Sequence, residues 1–344
     1  MKPILGLATI TMCLLTGTAS AHAEGELNIY NWGNYTSPDL VKKFEETYSV
    51  KVTVTDYDSS DTALAKVRQG GHGFDLVMVS SSSVSVWIKE GLVLETRPDQ
   101  MENFKNMDPK WVDVPFDSGR HYSIPWQWGT TGVSVNTSLY SGDPNTSAIF
   151  LNPPAELVGK INVVPEMNDV MYLAIAYEGG APCSGDREIL KKVRDALTAA
   201  KPKWLSMDYG TNDRLAKGDI AGGANFSGSS FRSRLMNDKI TYGYPREGFP
   251  IWMDNVMVLK DARNVENAKL FQNFMMDPEN AAINSSFTRY ANAIKGSEKF
   301  MPEDMRAAPE VNPPAELLQK GKFLMTCPAE VQEIYTRIWT ELMK

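Results

Sequence analysis

The sequence predicts an α/β protein of two lobes that close on each other like a clamshell about a hinge. Three observations lead there. Strand and helix signals alternate along the chain, as in repeated β-α-β winding. The 344 residues, about 320 once a leader is removed, exceed what a single hydrophobic core organises. A strand signal at Met253 to Lys260 then follows the second lobe and can carry the chain back to the first.

The chain starts with a secretory signal over residues 1–23: Lys2, an apolar run from Ile4 to Leu15, and Ala21-His22-Ala23 as the cleavage site before Glu24. Cleavage after Ala23 implies export to the periplasm. A lipid anchor at Cys13 fits poorly, because Met12 is large for the position before a lipidated cysteine. In the first lobe, Leu27 to Tyr30 reads as a strand and Pro38 to Thr47 as a helix, with Leu40, Val41, Phe44 and Tyr48 on one face. Val50, Val52 and Val54 alternate as a strand, and a helix runs from Asp61 to Gln69 with Ser60 as its cap. Phe74 to Val79 is nearly continuous in apolar character, as in a parallel strand covered on both faces. Ser80 to Ser83 follow it into a helix ending near Gly91, and a β segment runs through Trp126, Trp128 and Val133 to Asn136.

Beyond the loop ending at Asn152-Pro153-Pro154 lie a strand at Ile161 to Val164, helices at Asp169 to Tyr177 and Asp186 to Ala200, and a strand near Ile220. After the return strand come a helix at Val265 to Met275 and a last one from Pro328 to Leu342. The expected division is 24–136 with 253–300 as one lobe, and 137–252 with 301–344 as the other. Ligands of such folds lie between the lobes.

Charge and cysteine content narrow the function. Without the leader there are 34 Lys and Arg against 42 Asp and Glu, a balance that argues against nucleic acid as a partner. No later segment is long and apolar enough for a membrane span. Cys183 and Cys327 remain after cleavage, and in an oxidising compartment they make one disulfide if their Cα atoms come close enough; two free thiols are the alternative. No H-E-x-x-H, G-x-S-x-G, C-x-x-C or phosphate-loop pattern is present. His72 and His121 have no partner histidine at metal-ligand spacing, so no metal and no cofactor are expected.

The chain is instead rich in aromatics at predicted strand ends and loops: Trp32, Tyr35, Trp126, Trp128, Phe226, Phe231, Trp252 and Tyr290. Tyr30 to Tyr35 alone places three aromatics and two asparagines at the carboxyl end of the first strand, where α/β sheets bind ligands. Asp169 and Asp254 stand in apolar contexts near these rings, and a buried aspartate needs a cation or several donors. For Asp254 the alternative is a side-chain bond to the backbone at a strand start.

At Ile29 to Tyr35, Gly73 to Val77 with Ser81, Trp128 to Gly132, Pro245 to Gly248 and Tyr290 to Ala293, the chain resembles the periplasmic putrescine- and spermidine-binding proteins of ABC importers. The order and spacing of these signatures cover nearly the whole mature sequence. The resemblance implies the two-lobed, type II periplasmic-binding-protein clamshell, no catalysis, and delivery of a polyamine to a membrane permease by a monomer. It places an aromatic box on Trp32, Tyr35, Phe226, Trp252 and Tyr290, an amine-pairing carboxylate on Asp254, and hydrogen bonds on Asn34 and Ser81. Asp169 takes a position that is usually glutamate.

Two positions depart from the pattern. Asn34 stands where aspartate is common, and Ser229 where a second aspartate follows the aromatic at Phe226. The loss of two negative charges leaves open a ligand with one cationic and one neutral or anionic end, an aminated acid or opine-like compound. A secreted hydrolase using Asp169 and Asp254 is a further alternative.

Overall fold

Eight strands build the main sheet of the computed structural model, which describes residues 25–344. The leader and its cleavage site lie outside those residues. In chain order the strands are β1 (Gly25–Trp32), β2 (Val50–Tyr57), β3 (Leu76–Ser80), β4 (Ser123–Asn136), β5 (Gly222–Phe226), β6 (Ile240–Gly243), β7 (Phe249–Val258) and β8 (Gly321–Phe323). β1 pairs in parallel with β2 and β3, which is the expected β-α-β winding. The helix Pro38–Tyr48 makes the first crossover. Ser37 caps it by accepting from Leu40 N, Pro38 fixes its first turn, and Phe44 packs edge-on against Phe271 and Phe274. Burying Phe44 completely contributes about 1.5–3 kcal/mol.

β4 and β7 are the two longest strands, and every residue in both is buried. The first half of β4 pairs with β7, and its second half pairs with β5 and β6. The second half of β7 pairs with β3, while its start pairs with β8. Each strand therefore runs from one set of partners to another, which is how two lobes come to share a hinge. The ladder between them shifts register at Asp254/Asn255, a local irregularity of the kind that re-aims side chains near binding sites.

The element boundaries depart from expectation at several points. Ser59, not Ser60, caps the second helix, accepting from Thr62 N in a helix over Ser60–Arg68. The helix expected from Asp169 starts at Met167, which draws Glu166 and Asp169 into one helical turn. The strand expected at Ile161 to Val164 shortens to Asn162–Val163, paired with Ser206–Met207, and the one near Ile220 begins at Gly222. β7 starts four residues before Met253, because Phe249 to Ile251 pair in parallel with β8 even though Pro250, which lacks an N–H, reads as a strand breaker. Three of the singled-out aromatics belong to packing: Trp126 stacks on Phe271, Phe231 is fully buried, and Trp128 lies against Trp111 with its indole donating to Asn292 O.

The signature residue Asp75 is also structural. Its carboxylate accepts from the backbone N–H groups of Asn28, Arg263 and Asn264, tying β1 to the start of the helix Val265–Met275. Cys183 and Cys327 form a disulfide with Cα atoms 5.2 Å apart, beside the final helix Ala329–Met343, whose Tyr335 hydroxyl donates to Ser184 O. Exported protein treated with an alkylating reagent and no reductant should gain no label by intact mass. Two labelled thiols would show that the bridge does not form.

Candidate functional site

The aromatics expected to line a cleft come together from distant parts of the chain. Tyr35 meets Tyr290 edge-to-face with ring centroids 5.9 Å apart, Tyr290 meets Trp252 at 5.0 Å, and Trp252 meets Phe226 at 5.9 Å. Trp32 continues the wall from the end of β1, 4.5 Å from Tyr57 at the end of β2. Two glycines allow this close approach. A Cβ on Gly129, opposite Trp252 in the ladder, would lie 2.6 Å from the indole, and one on Gly228 would lie 2.5 Å from the Tyr290 ring.

Gly129→Ala must therefore displace Trp252 or strain β4. We expect a loss of about 1–3 kcal/mol in stability, read as a lower unfolding midpoint, together with weaker ligand binding. Unchanged stability and binding would mean that the indole is free to move.

Asp254 lies at the centre of the hinge ladder, opposite Ser80 on β3 and Gln127 on β4. Its neighbours Met253 and Asn255 are both held by the fully buried Arg120, whose Nη2 contacts Met253 Sδ at 3.1 Å and whose Nη1 donates to Asn255 Oδ1 at 2.8 Å. Burial pushes that guanidinium down to about 9. The same clamp fixes the backbone on either side of Asp254. Burial pushes the Asp254 carboxyl up to about 7; the Tyr35 hydroxyl and Trp32 indole facing it oppose the shift, and Glu166 adds to it. The Tyr35 hydroxyl and the Trp32 N–H face this carboxylate without a close hydrogen bond and have no other partner among the described residues.

Two more carboxylates complete an acidic group. Asp169 is buried in the first turn of the helix Met167–Tyr177, where the helix dipole favours an anion, and the Thr131 hydroxyl donates to it. Burial, reinforced by Asp254, raises its carboxyl to about 7. Glu166 is held by the Tyr209 hydroxyl and is also raised to about 7, by burial and then by Asp169. Three carboxyls that hold one another's protons form a site that binds positive charge. Among the described residues no group of His, Cys, Asp and Glu has the arrangement of a metal site.

The remaining expected residues fall in different places. Ser229 is buried, 3.3 Å from the Tyr290 hydroxyl. Ser81 is fully buried beneath Asp254, accepting from Met253 N. Asn34 lies on an exposed turn between Trp32 and Tyr35, in the left-handed conformation with φ 55°. Sequence reasoning missed Glu166, Tyr57, Tyr209, Thr131 and Arg120. The spacing of Glu166 and Asp169, three residues apart at a helix start, was the available signal for the first of these.

The family model for bacterial extracellular solute-binding proteins matches residues 39–313. The chain is 27% identical over 338 residues to spermidine/putrescine-binding periplasmic protein 1 of Haemophilus influenzae, with 93% of each chain covered. It is 28% identical over 353 residues to the putrescine-binding periplasmic protein SpuD of Pseudomonas aeruginosa, covering 95% of this chain and 94% of that one. A solved structure titled putative spermidine/putrescine ABC transporter from Listeria monocytogenes superposes with a TM-score of 0.86 at 28% identity, covering 92% of this chain and 98% of the other.

Proposed function

Because the chain belongs to the bacterial extracellular solute-binding protein family, we propose that it is the periplasmic receptor of an ABC importer and captures a polyamine, a putrescine- or spermidine-like organic cation, between its lobes. One observation carries the ligand class: the buried carboxyls of Asp254 and Asp169, with the half-buried Glu166, act on one another beside a wall of five aromatic rings. An alkylammonium suits both parts. Its charge compensates the carboxylates, its N–H groups are donors to them, and its methylene chain lies against the rings, with cation–π contact adding about 0.5–2 kcal/mol per ring. The related proteins named for putrescine and spermidine support the same class.

In this reading Trp32, Tyr35, Phe226, Trp252 and Tyr290 sandwich the chain of the ligand, and Asp254, Asp169 and Glu166 hold its ammonium. Ser81, Asn34 and Ser229 add polar contacts. The protein is made with a leader cleaved after Ala23, works as a monomer, and passes its cargo to a membrane permease without chemical change. Residues 24–136 with 253–300 make one lobe and 137–252 with 301–344 the other. In support of two such sets, the disulfide joins Cys183 to Cys327 within the second and β7 supplies one crossing, whereas β4 passes to the partners of the second set from Thr131 onward, ahead of residue 136.

The test is thermal unfolding with and without ligand. A ligand that binds only the folded state stabilises it by about 2.7 kcal/mol at a hundredfold excess over its dissociation constant. Putrescine or spermidine should raise the midpoint and be recovered unchanged, as mass spectrometry of the released molecule reads, while maltose should have no effect. Stabilisation by sugars and by no amine would overturn the assignment.

A further inference from the structure

Arg232 is a cation that the capture of an ammonium does not use, and it lies at the aromatic wall. It follows Ser229 by three residues on the helix Ser227–Met236, so the two side chains share a face. The first turn of this helix packs onto Tyr290 through Gly228. Ser229 Oγ is 3.3 Å from the Tyr290 hydroxyl, and Arg232 Nη2 is 3.4 Å from Ser229 Oγ. Arg232 Nε is buried and has no hydrogen-bond partner among the described residues. Of the neighbouring arginines, Arg234 pairs with Glu310 at 2.5 Å, and Arg289, beside Tyr290 in the chain, faces Asp304 at 3.7 Å without a hydrogen bond to its Nη1. Tyr290 lies within the field of both ends of the site: burial raises its phenol, Arg232 opposes that rise and Asp254 adds to it.

The cleft is thus polarised, with the carboxylates of Asp254, Asp169 and Glu166 at one end and a guanidinium at the other. A diamine laid along the rings would bring its second ammonium toward a like charge, with Ser229 offering no carboxylate to offset it. A guanidinium instead presents paired donors to an oxygen acceptor, most strongly to a carboxylate. We propose that the preferred ligand is an alkylamine with a single ammonium, held at Asp254, and an oxygen acceptor at its far end, received by Arg232 and Ser229. The inference rests on the reading above that an ammonium is held at Asp254, and departs from a polyamine at the far end of the ligand. A free carboxylate and an acyl amide share this chemistry.

Titration calorimetry on the exported protein with putrescine, 4-aminobutanoate and N-acetylputrescine separates the cases. The tighter of the two acceptor-ended amines should bind at least tenfold more tightly than putrescine, and which one it is tells carboxylate from acyl. Arg232→Gln should bring that ratio to near one, and Arg232→Lys should keep the acceptor-ended ligand ahead. Putrescine binding more tightly than both in the unsubstituted protein would overturn the inference and leave the amine receptor standing. A ratio unchanged in Arg232→Gln would overturn it in the same way. Binding of none of the three, nor of spermidine, would overturn both. The order in the unsubstituted protein decides the matter even if Arg232→Gln fails to fold.

Discussion

Asp254→Asn should reduce affinity for the tightest-binding amine by about 2–5 kcal/mol, the range for removing one partner of a buried charged pair, or between about thirtyfold and several thousandfold. The carboxylate is buried at the hinge and faces two donors, Tyr35 and Trp32, without a close hydrogen bond. An ammonium placed there without it would be desolvated with no counter-charge. The ligand-free variant should be no less stable than the unsubstituted protein at pH 8, because the substitution removes an unpaired buried charge. Loss of binding with retained stability distinguishes a ligand contact from a structural bond at a strand start. Asn34 supplies the comparison, and its backbone dictates the substitution. At φ 55° alanine would add strain, whereas glycine removes only the amide, so Asn34→Gly should weaken binding by about 0.5–1.5 kcal/mol. Titration calorimetry on both variants checks this, and equal small losses would mean that the cation is held away from Asp254.

The winding of the first lobe is legible in the sequence because its parallel strands are apolar on both faces and its helices carry their own caps: Phe74 to Val79 and Ser37-Pro38 announce themselves. The site is legible only in part. Trp32 and Tyr35 follow a strand end, and Asp254 is conspicuous as a charge inside an apolar run that β7 buries completely. Trp126 and Phe231 have the same local appearance but point into the core: on β4 the strand's alternation decides which face Trp126 takes, and on the helix Ser227–Met236 the helical period decides it for Phe231. Glu166 is hidden because the sequence pattern starts the helix at Asp169, whereas the fold starts it at Met167. Their three-residue spacing joins the two carboxylates only once that turn is in place. Arg120 gives no local sign of its role: Trp111 and Ser123 are near it in the chain, but Met253 and Asn255, which link it to Asp254, meet it only through the tertiary fold.

Affinity for the amine should rise by about 100-fold between pH 5 and pH 8, or about 2.7 kcal/mol, if one carboxyl with a value near 7 must ionise to receive the cation. Asp254, Asp169 and Glu166 are each raised to about 7, chiefly by burial, so the ligand-free site is largely protonated at pH 5 and charged at pH 8. An alkylammonium keeps its proton across this window, as a lysine side chain does, and burial holds the Tyr35 and Tyr57 phenols above their ordinary values. The same shifts fix the sign for stability. Carboxyls whose folded values lie above their unfolded ones contribute stability that is fully present below about pH 4 and is lost as the pH rises through 7. These three groups should therefore make the ligand-free protein less stable at pH 8 than at pH 5. The bound cation offsets that loss, so the ligand-induced rise in unfolding midpoint should be larger at pH 8. Near pH 7 binding should also expel protons, because the ammonium lowers the proton affinity of the whole coupled group. Calorimetry in two buffers of different ionisation enthalpy counts those protons. A flat affinity from pH 5 to 8 with no proton release would show that the carboxylates are already ionised in the ligand-free protein, stabilised by donors other than the ligand.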